Sequence, residues 1–328
     1  MKAVTIPKFG GPEVLEIQEL PDPVPSAGEV LVRVRATALN RADIMQRMGR
    51  YPAPPGSSQL VPGMEYAGEI VALGTDVAGW RTGERVCGIV AAGGHAELVT
   101  AHASTLARVP ESLSWEQAGA IPEAFITAHD ALVTQGTVAA GERVMVHAVG
   151  SGVGLAVVQV ARTLGAPVFG TARTPDKLER AREYGMDAGV VAGADLDAVT
   201  AAAREWAGGQ GVDVIIDLVG GAYVPAGIAA LRLKGRLVVV GLVAGREATV
   251  SLGEILSKRL TIRGTALRSR TTAEKAEATR LFARDVLPHL ASGAIRPVID
   301  RVLPLARIRE AHEAMARDET FGKIVLVP

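Results

Sequence analysis

From the N-terminus to about residue 122, short apolar runs at residues 30–34, 66–73 and 85–90 are separated by glycine and proline pairs. Asp22-Pro23, Pro54-Pro55-Gly56 and Pro62-Gly63 each restrict the backbone so that the chain turns instead of continuing a ladder. The pattern predicts an antiparallel β-rich lobe of short strands and long loops. At residue 142 the rhythm changes. Residues 143–147 read as an apolar strand, 155–164 as a helix and 167–171 as a strand again, which is a βαβ unit. The alternation continues with a helix at 175–184, a strand at 188–191, a helix at 196–207, a β-branched strand at 212–217, and strands at 237–241 and 260–264. Nearly continuous Val, Ile and Leu suits strands buried on both faces, so an α/β fold with a doubly wound, six-stranded parallel sheet is expected. After residue 267 come a helix rich in Ala, Glu and Arg, a Ser292-Gly293 loop and a closing strand at 323–327. A last strand after the parallel sheet predicts that the C-terminus returns to the first lobe. The expected division is 1–125, 126–266 and 267–328.

Composition narrows the classes. The chain has 328 residues, 48% of them hydrophobic, which is too apolar for a disordered chain. Its 35 Lys plus Arg balance 35 Asp plus Glu, so no excess positive field favours nucleic acid or an anionic membrane. Cys87 is the single cysteine, which excludes an internal disulfide, a thiolate metal cage and a CxxC redox pair. A reducing, cytoplasmic setting fits. Residues 1–20 lack the uninterrupted apolar core of a signal peptide, so no export is expected. The apolar stretch 143–162 is long enough to cross a bilayer, but His147 and the Gly150-Ser151-Gly152 break make it strand, turn and helix.

That turn carries the first chemistry. Residues 144–154, VMVHAVGSGVG, run from strand through a glycine-rich turn into a helix, the context of a dinucleotide site in a Rossmann fold. The spacing departs from GxGxxG: with Gly154 as the last glycine, Val149 and Ser151 stand where the first two would be, and Gly150 and Gly152 supply the turn. Glycine there lets backbone N–H groups approach a pyrophosphate, and the helix beginning near Val153 adds its dipole. About 20 residues on, an NAD-preferring site would hold an acid. Here Arg173 and Lys177 bracket Asp176, a set that suits a 2′-phosphate and so NADPH. Both cations also read as ordinary surface charges at a helix start.

Several runs carry a resemblance: residues 39–43 (LNRAD) with 49–56 (GRYPAPPG), 120–124 (AIPEA), 147–154, 217–221 (DLVGG) and 267–270 (LRSR). Together these resemble the zinc-free quinone oxidoreductase, zeta-crystallin-like branch of the medium-chain dehydrogenase/reductase superfamily, and most the p53-inducible quinone oxidoreductase type, whose glycine loop likewise carries a serine. The resemblance covers nearly the whole chain and implies a GroES-like catalytic domain beside the Rossmann domain. Zinc members would ligate metal at positions that hold Asn40 and Met64 here, both poor zinc ligands, and the six histidines show no HxH or HExxH spacing; no metal site is expected. The resemblance implies Asn40, Tyr51 and Thr127 as polar groups around nicotinamide and substrate, with Ser151 in the loop beneath and Tyr51 as donor to a quinone oxygen. Tyr51 reads equally as an aromatic packing on the 52–55 loop, Asn40 as a turn residue and Thr127 as a helix-start residue. The resemblance further implies that Gly241 and Leu242 flank the nicotinamide ribose, that the Leu267 backbone meets the carboxamide, and that Phe321-Gly322-Lys323 closes over the cofactor. Relatives often carry a tyrosine where this chain has Ala192, and a second one where it has Met45; phosphate selectivity then rests on Arg173 and Lys177.

The expectation is an NADPH-dependent, metal-free reductase of small hydrophobic quinones. Reduction of an enone or enoyl double bond would use the same parts. A serine hydrolase is excluded, because GxSxG would need glycine at Val149 and Val153. A non-catalytic, crystallin-like or RNA-binding role has no stacking platform among so few aromatics. The apolar last sheet strand would be an exposed edge in a monomer, so a homodimer paired along it is expected.

Overall fold

The computed structural model describes residues 1–328, which form two compact units: Met1–Ile126 with Leu267–Pro328, and Thr127–Ala266. The second unit is built on a six-stranded sheet. In spatial order its strands are Ala188–Val191, Val168–Ala172, Val144–Val146, Val212–Asp217, Leu231–Val239 and Thr261–Gly264, every pair parallel. In order of appearance this is three-two-one-four-five-six, so the chain reverses direction across the sheet beside Val144–Val146. The ligand crevice of such a sheet lies outside the carboxyl ends of its strands at that reversal. Val144–Val146 and Val212–Asp217 are buried along their whole length, as strands covered by helices on both faces must be. Met145, Phe169, Ile215, Ile228 and Leu237 join the apolar face of the helix Leu196–Trp206 in one core.

The elements follow the hydrophobic pattern with small shifts at their ends. The helix after the glycine turn begins at Gly152 and runs to Thr163, and the strand expected at 237–241 begins already at Leu231. The apolar pattern misses its first half because Arg232 and Lys234 interrupt it there.

In the first unit, a seven-stranded sheet runs in the order Ile299–Pro304, Lys323–Val327, Glu29–Ala38, Glu65–Leu73, Arg85–Ile89 and Leu106–Arg108, with Leu98–His102 also paired to Glu29–Ala38. The closing strand does return to the first lobe, where Val325 and Leu326 pair with Ala38 and Thr37. The strands from residues 29–108 pair antiparallel, and one strand not foreseen, Ile299–Pro304, lies parallel to Lys323–Val327. That strand escaped the sequence pattern because Asp300, Arg301 and Pro304 interrupt it on the sheet edge. A short helix, Trp115–Gly119, packs on this sheet, and two others span Arg41–Arg47 and Pro122–His129. No helix is long and apolar enough to cross a membrane.

Candidate cofactor and acceptor sites

At the carboxyl end of Val144–Val146 the chain bends sharply toward a helix. The His147 and Val149 amides bond to the Ile216 and Thr171 carbonyls at 3.1 and 2.8 Å, which ties the bend to both neighbouring strands. Ala148 between them takes a left-handed φ of 53°, unusual for a residue with a Cβ. The chain then enters the helix Gly152–Thr163 through Ser151, whose hydroxyl accepts the Gly154 amide at 3.1 Å. A Cβ on Gly154 would stand 2.6 Å from the Ala148 carbonyl oxygen, so helix and bend meet too closely for a side chain. The first-turn amides that Ser151 does not cap are the ordinary binding groups for a phosphate. This geometry fits a dinucleotide pyrophosphate. The Ser151 hydroxyl, expected as a group beneath the substrate, is engaged as the helix cap.

Around this bend lies a polar cluster that sequence reading passed over. His147, buried, holds the Thr171 hydroxyl through Nδ1 at 3.1 Å and meets the Tyr223 ring edge to face at 4.9 Å. Burial pushes its imidazole below the usual range, against the pull of Asp217. Asp217 accepts the Val219 and Gly220 amides at 2.8 and 2.9 Å and so shapes the next turn. Gly241 lies against that turn, where a Cβ would come 2.3 Å from the Leu218 carbonyl oxygen; Leu242 beside it is exposed. Arg173 is exposed and Lys177 half-buried at the start of the helix Pro175–Arg182, with Asp176 paired to Arg180 at 3.6 Å. Arg173 also acts on the half-buried Tyr223, whose phenol burial pushes up. Histidine and aspartate at two strand ends and tyrosine at the start of the helix Tyr223–Ala230 give no local signal, which is why the sequence did not reveal them. Thr127 sits inside the helix Pro122–His129, not at its start, and is buried.

The first unit gathers the remaining candidates. Asn40 caps the helix Arg41–Arg47, and its amide donates to Glu65 Oε1 at 2.8 Å while its Oδ1 accepts Lys323 Nζ at 2.5 Å. Lys323 also pairs with Glu65 at 2.7 Å and bonds the Leu39 carbonyl at 3.2 Å; all three side chains are buried. Of residues 321–323, Lys323 has its ammonium within this buried cluster, and Phe321 is buried with its amide on Asp300 at 2.9 Å. Gly322 has a φ of 93° and lies where a Cβ would meet the Val298 carbonyl oxygen at 2.3 Å. Only backbone here remains for a ligand. Asn40 is likewise no free donor; its amide is spent on the ion pair. Leu267 is buried.

Tyr51 is half-buried beneath Arg268, whose guanidinium lies 5.0 Å from the ring centroid. Arg268 is fixed by the Ala91 and Tyr51 carbonyls at 2.7 and 3.0 Å and by the Gln46 side chain. Burial raises the Tyr51 phenol above its usual range, so it remains a proton-bearing donor at neutral pH. Glu123, in the first turn of Pro122–His129, donates its amide to Glu65 Oε2 at 2.9 Å. Burial and then the adjacent Glu65 charge push its own carboxyl up to about 8. At the expected ligand positions stand the engaged Asn40 and the buried thioether Met64, and no group of three His, Cys, Asp or Glu side chains could hold a metal ion. The residues present do not fit zinc.

Comparison with known proteins agrees with this architecture. Residues 26–134 match the alcohol dehydrogenase GroES-like domain, and residues 152–284 match the family described as zinc-binding dehydrogenase. Human quinone oxidoreductase is 31% identical over 332 residues, covering 100% of this chain and 98% of that protein. Escherichia coli quinone oxidoreductase in complex with NADPH superposes with a TM-score of 0.89 at 28% identity, over 100% of both chains. An NAD-dependent alcohol dehydrogenase superposes with a TM-score of 0.87 at 33% identity, again over 100% of both. The chain is an oxidoreductase that belongs to the medium-chain dehydrogenase/reductase superfamily, in its quinone oxidoreductase branch.

Proposed function

We propose that the protein is an NADPH-dependent, metal-free reductase of small hydrophobic quinones. The observation that carries this reading is the glycine turn entering a 12-residue helix at the reversal point of the parallel sheet, with two cations following the second strand. In this reading Gly150, Ser151, Gly152, Val153 and Gly154 hold the pyrophosphate. Arg173 and Lys177 hold the 2′-phosphate and Gly241 and Leu242 border the nicotinamide ribose. The Leu267 backbone meets the carboxamide. When bound, NADPH supplies a hydride. Tyr51, still protonated, donates a hydrogen bond to a quinone oxygen and so favours the negative charge that develops there. Asn40, Glu65 and Lys323 act one layer back, holding the floor on which that oxygen rests, and Thr127 contributes a buried hydroxyl. The same reading includes a cytoplasmic location and a homodimer joined along Thr261–Gly264.

The test is oxidation of NADPH with phenanthrenequinone, benzoquinone and cyclohexenone side by side, repeated with NADH and after EDTA. Quinone turnover that prefers NADPH and ignores EDTA is the expected result. Turnover of the enone alone moves the protein to the double-bond reductases. Tight NADPH binding without turnover of any acceptor overturns the enzymatic reading.

A further inference from the structure

A guanidinium taken out of water is costly to keep when neutral groups, not a carboxylate, receive its hydrogen bonds. Arg268 is such a group. It is 5% exposed, and its donors go to three uncharged acceptors. Nε bonds the Ala91 carbonyl at 2.7 Å, one terminal nitrogen bonds the Tyr51 carbonyl at 3.0 Å, and the other bonds the Gln46 side-chain oxygen. These acceptors lie on three segments of the same unit as Arg268: the helix Arg41–Arg47, the loop that follows it, and the loop after the strand Arg85–Ile89.

Gln46 shows what the arrangement gives up. Arginine only donates, so the Gln46 oxygen faces Arg268, and its amide nitrogen is left buried without a partner. A buried donor with no acceptor is destabilising, which makes the contact that strands it a candidate for function. That contact serves Tyr51. The guanidinium that bonds the Tyr51 carbonyl also lies 5.0 Å from the centroid of its ring, within the range of a cation–π contact. On the helix side, the Arg50 and Tyr51 amides bond the Met45 carbonyl at 2.8 and 3.2 Å. On the other side the loop has little to hold it, because Pro52, Pro54 and Pro55 carry no N–H. One side chain thus grips both the backbone and the ring of Tyr51, and none of these contacts uses the Tyr51 hydroxyl.

We propose that Arg268 is a positioning residue for the acceptor reaction: by bonding the carbonyl and covering the ring of Tyr51, it aims the Tyr51 hydroxyl at the acceptor oxygen. The assignment rests on the reductase reading above and deepens it. Arg268 touches no reacting atom in this scheme. It removes the freedom of a donor carried on a proline-rich loop, where a displacement of about 1 Å can cost about a hundred-fold in rate. Burial raises the Tyr51 phenol and the Arg268 charge works against that rise, which leaves the hydroxyl a better donor than burial alone would.

The experiment is a double-mutant cycle on kcat. Tyr51→Phe removes the hydroxyl and keeps both the carbonyl and a ring for Arg268. Arg268→Met removes the cation and its three bonds; Arg268→Lys keeps the charge without the fork and carries the same comparison where the methionine variant does not fold. NADPH oxidation with phenanthrenequinone is measured at saturating cofactor, with circular dichroism as the check on folding. In the native background each Arg268 substitution is expected to lower kcat by about ten- to a hundred-fold, with KM for NADPH within about two-fold. In the Tyr51→Phe background the same substitution is expected to lower kcat by less than about two-fold further, because no hydroxyl is left to aim. An arginine that merely supports the fold lowers kcat equally in both backgrounds, and that result overturns the assignment alone. So does a native kcat in either folded Arg268 variant. Tyr51→Phe at the native rate removes the donor from the reductase reading, and the assignment with it. A native protein that does not oxidise NADPH with the quinone overturns the reductase reading as a whole.

Discussion

The Lys323 ammonium is enclosed by Glu65, Asn40 and the Leu39 carbonyl, with almost no contact with water. Replacing it by methionine would leave the Glu65 carboxylate buried without its cation. The expected cost is about 3–5 kcal/mol of unfolding free energy, read from urea denaturation. Nothing local in the sequence announces this pair. Lysine is ordinarily a surface residue, and its partner lies 258 positions away, so a motif reading sends the side chain toward the cofactor instead. The cations at 173 and 177 are the opposite case, because their place follows from distance along the chain after the glycine turn. Replacing both by alanine is expected to raise KM for NADPH by about ten- to a hundred-fold while leaving KM for NADH within about two-fold, since each charge-assisted bond is worth about 1.5–3 kcal/mol when formed and less when exposed. Steady-state kinetics with both cofactors decide it.

At the scale of elements, the parallel sheet was legible because its central strands are short, buried and rich in Val and Ile, and because glycine and proline separate them. The strands of the first unit were less so: Ile299–Pro304 and Leu98–His102 are interrupted by charge or by half-exposed positions, and their pairing is fixed by distant segments. The glycine turn was legible as a turn, whereas the use of its serine was not. The Ser151 hydroxyl reads as chemistry in one dimension and as a helix cap in three. Ser151→Ala is therefore expected to lower stability by about 1 kcal/mol and to weaken NADPH binding, with kcat at saturating NADPH nearly unchanged; a large fall in kcat would restore a chemical role. The edge strand Thr261–Gly264 is exposed along its whole length, with Leu252 and Leu256 exposed on the helix before it. An uncovered edge flanked by leucines fits a second copy of the chain. Sedimentation at micromolar concentration should give a dimer, and Leu256→Asp with Ile262→Asp a monomer.

For the whole molecule, one buried and one half-buried group set opposite slopes of stability against pH. His312 is fully buried; burial first, then His95 and Arg47, hold its imidazole well below 6.5. The unfolded chain takes up this proton as the pH falls through about 6.5 while the folded chain does not, so stability is full above that value and declines below it. Glu123 acts in the other direction. The unfolded carboxyl ionises near 4.5 and the folded one at about 8, so the folded state holds one more proton between those values and loses stability as the pH rises through them. The melting temperature should therefore pass through a maximum in the mildly acidic range, with His312 and His147 on the acid limb and Glu123 on the alkaline one. Glu123→Gln is expected to flatten the alkaline limb, so that its advantage over the native protein grows from about pH 5 to about pH 8. His312→Asn should flatten the acid limb while lowering stability at every pH through lost packing. Calorimetry of the three proteins across this range separates the two slopes, and parallel curves for native and Glu123→Gln would show that the acid does not hold its proton in the folded state.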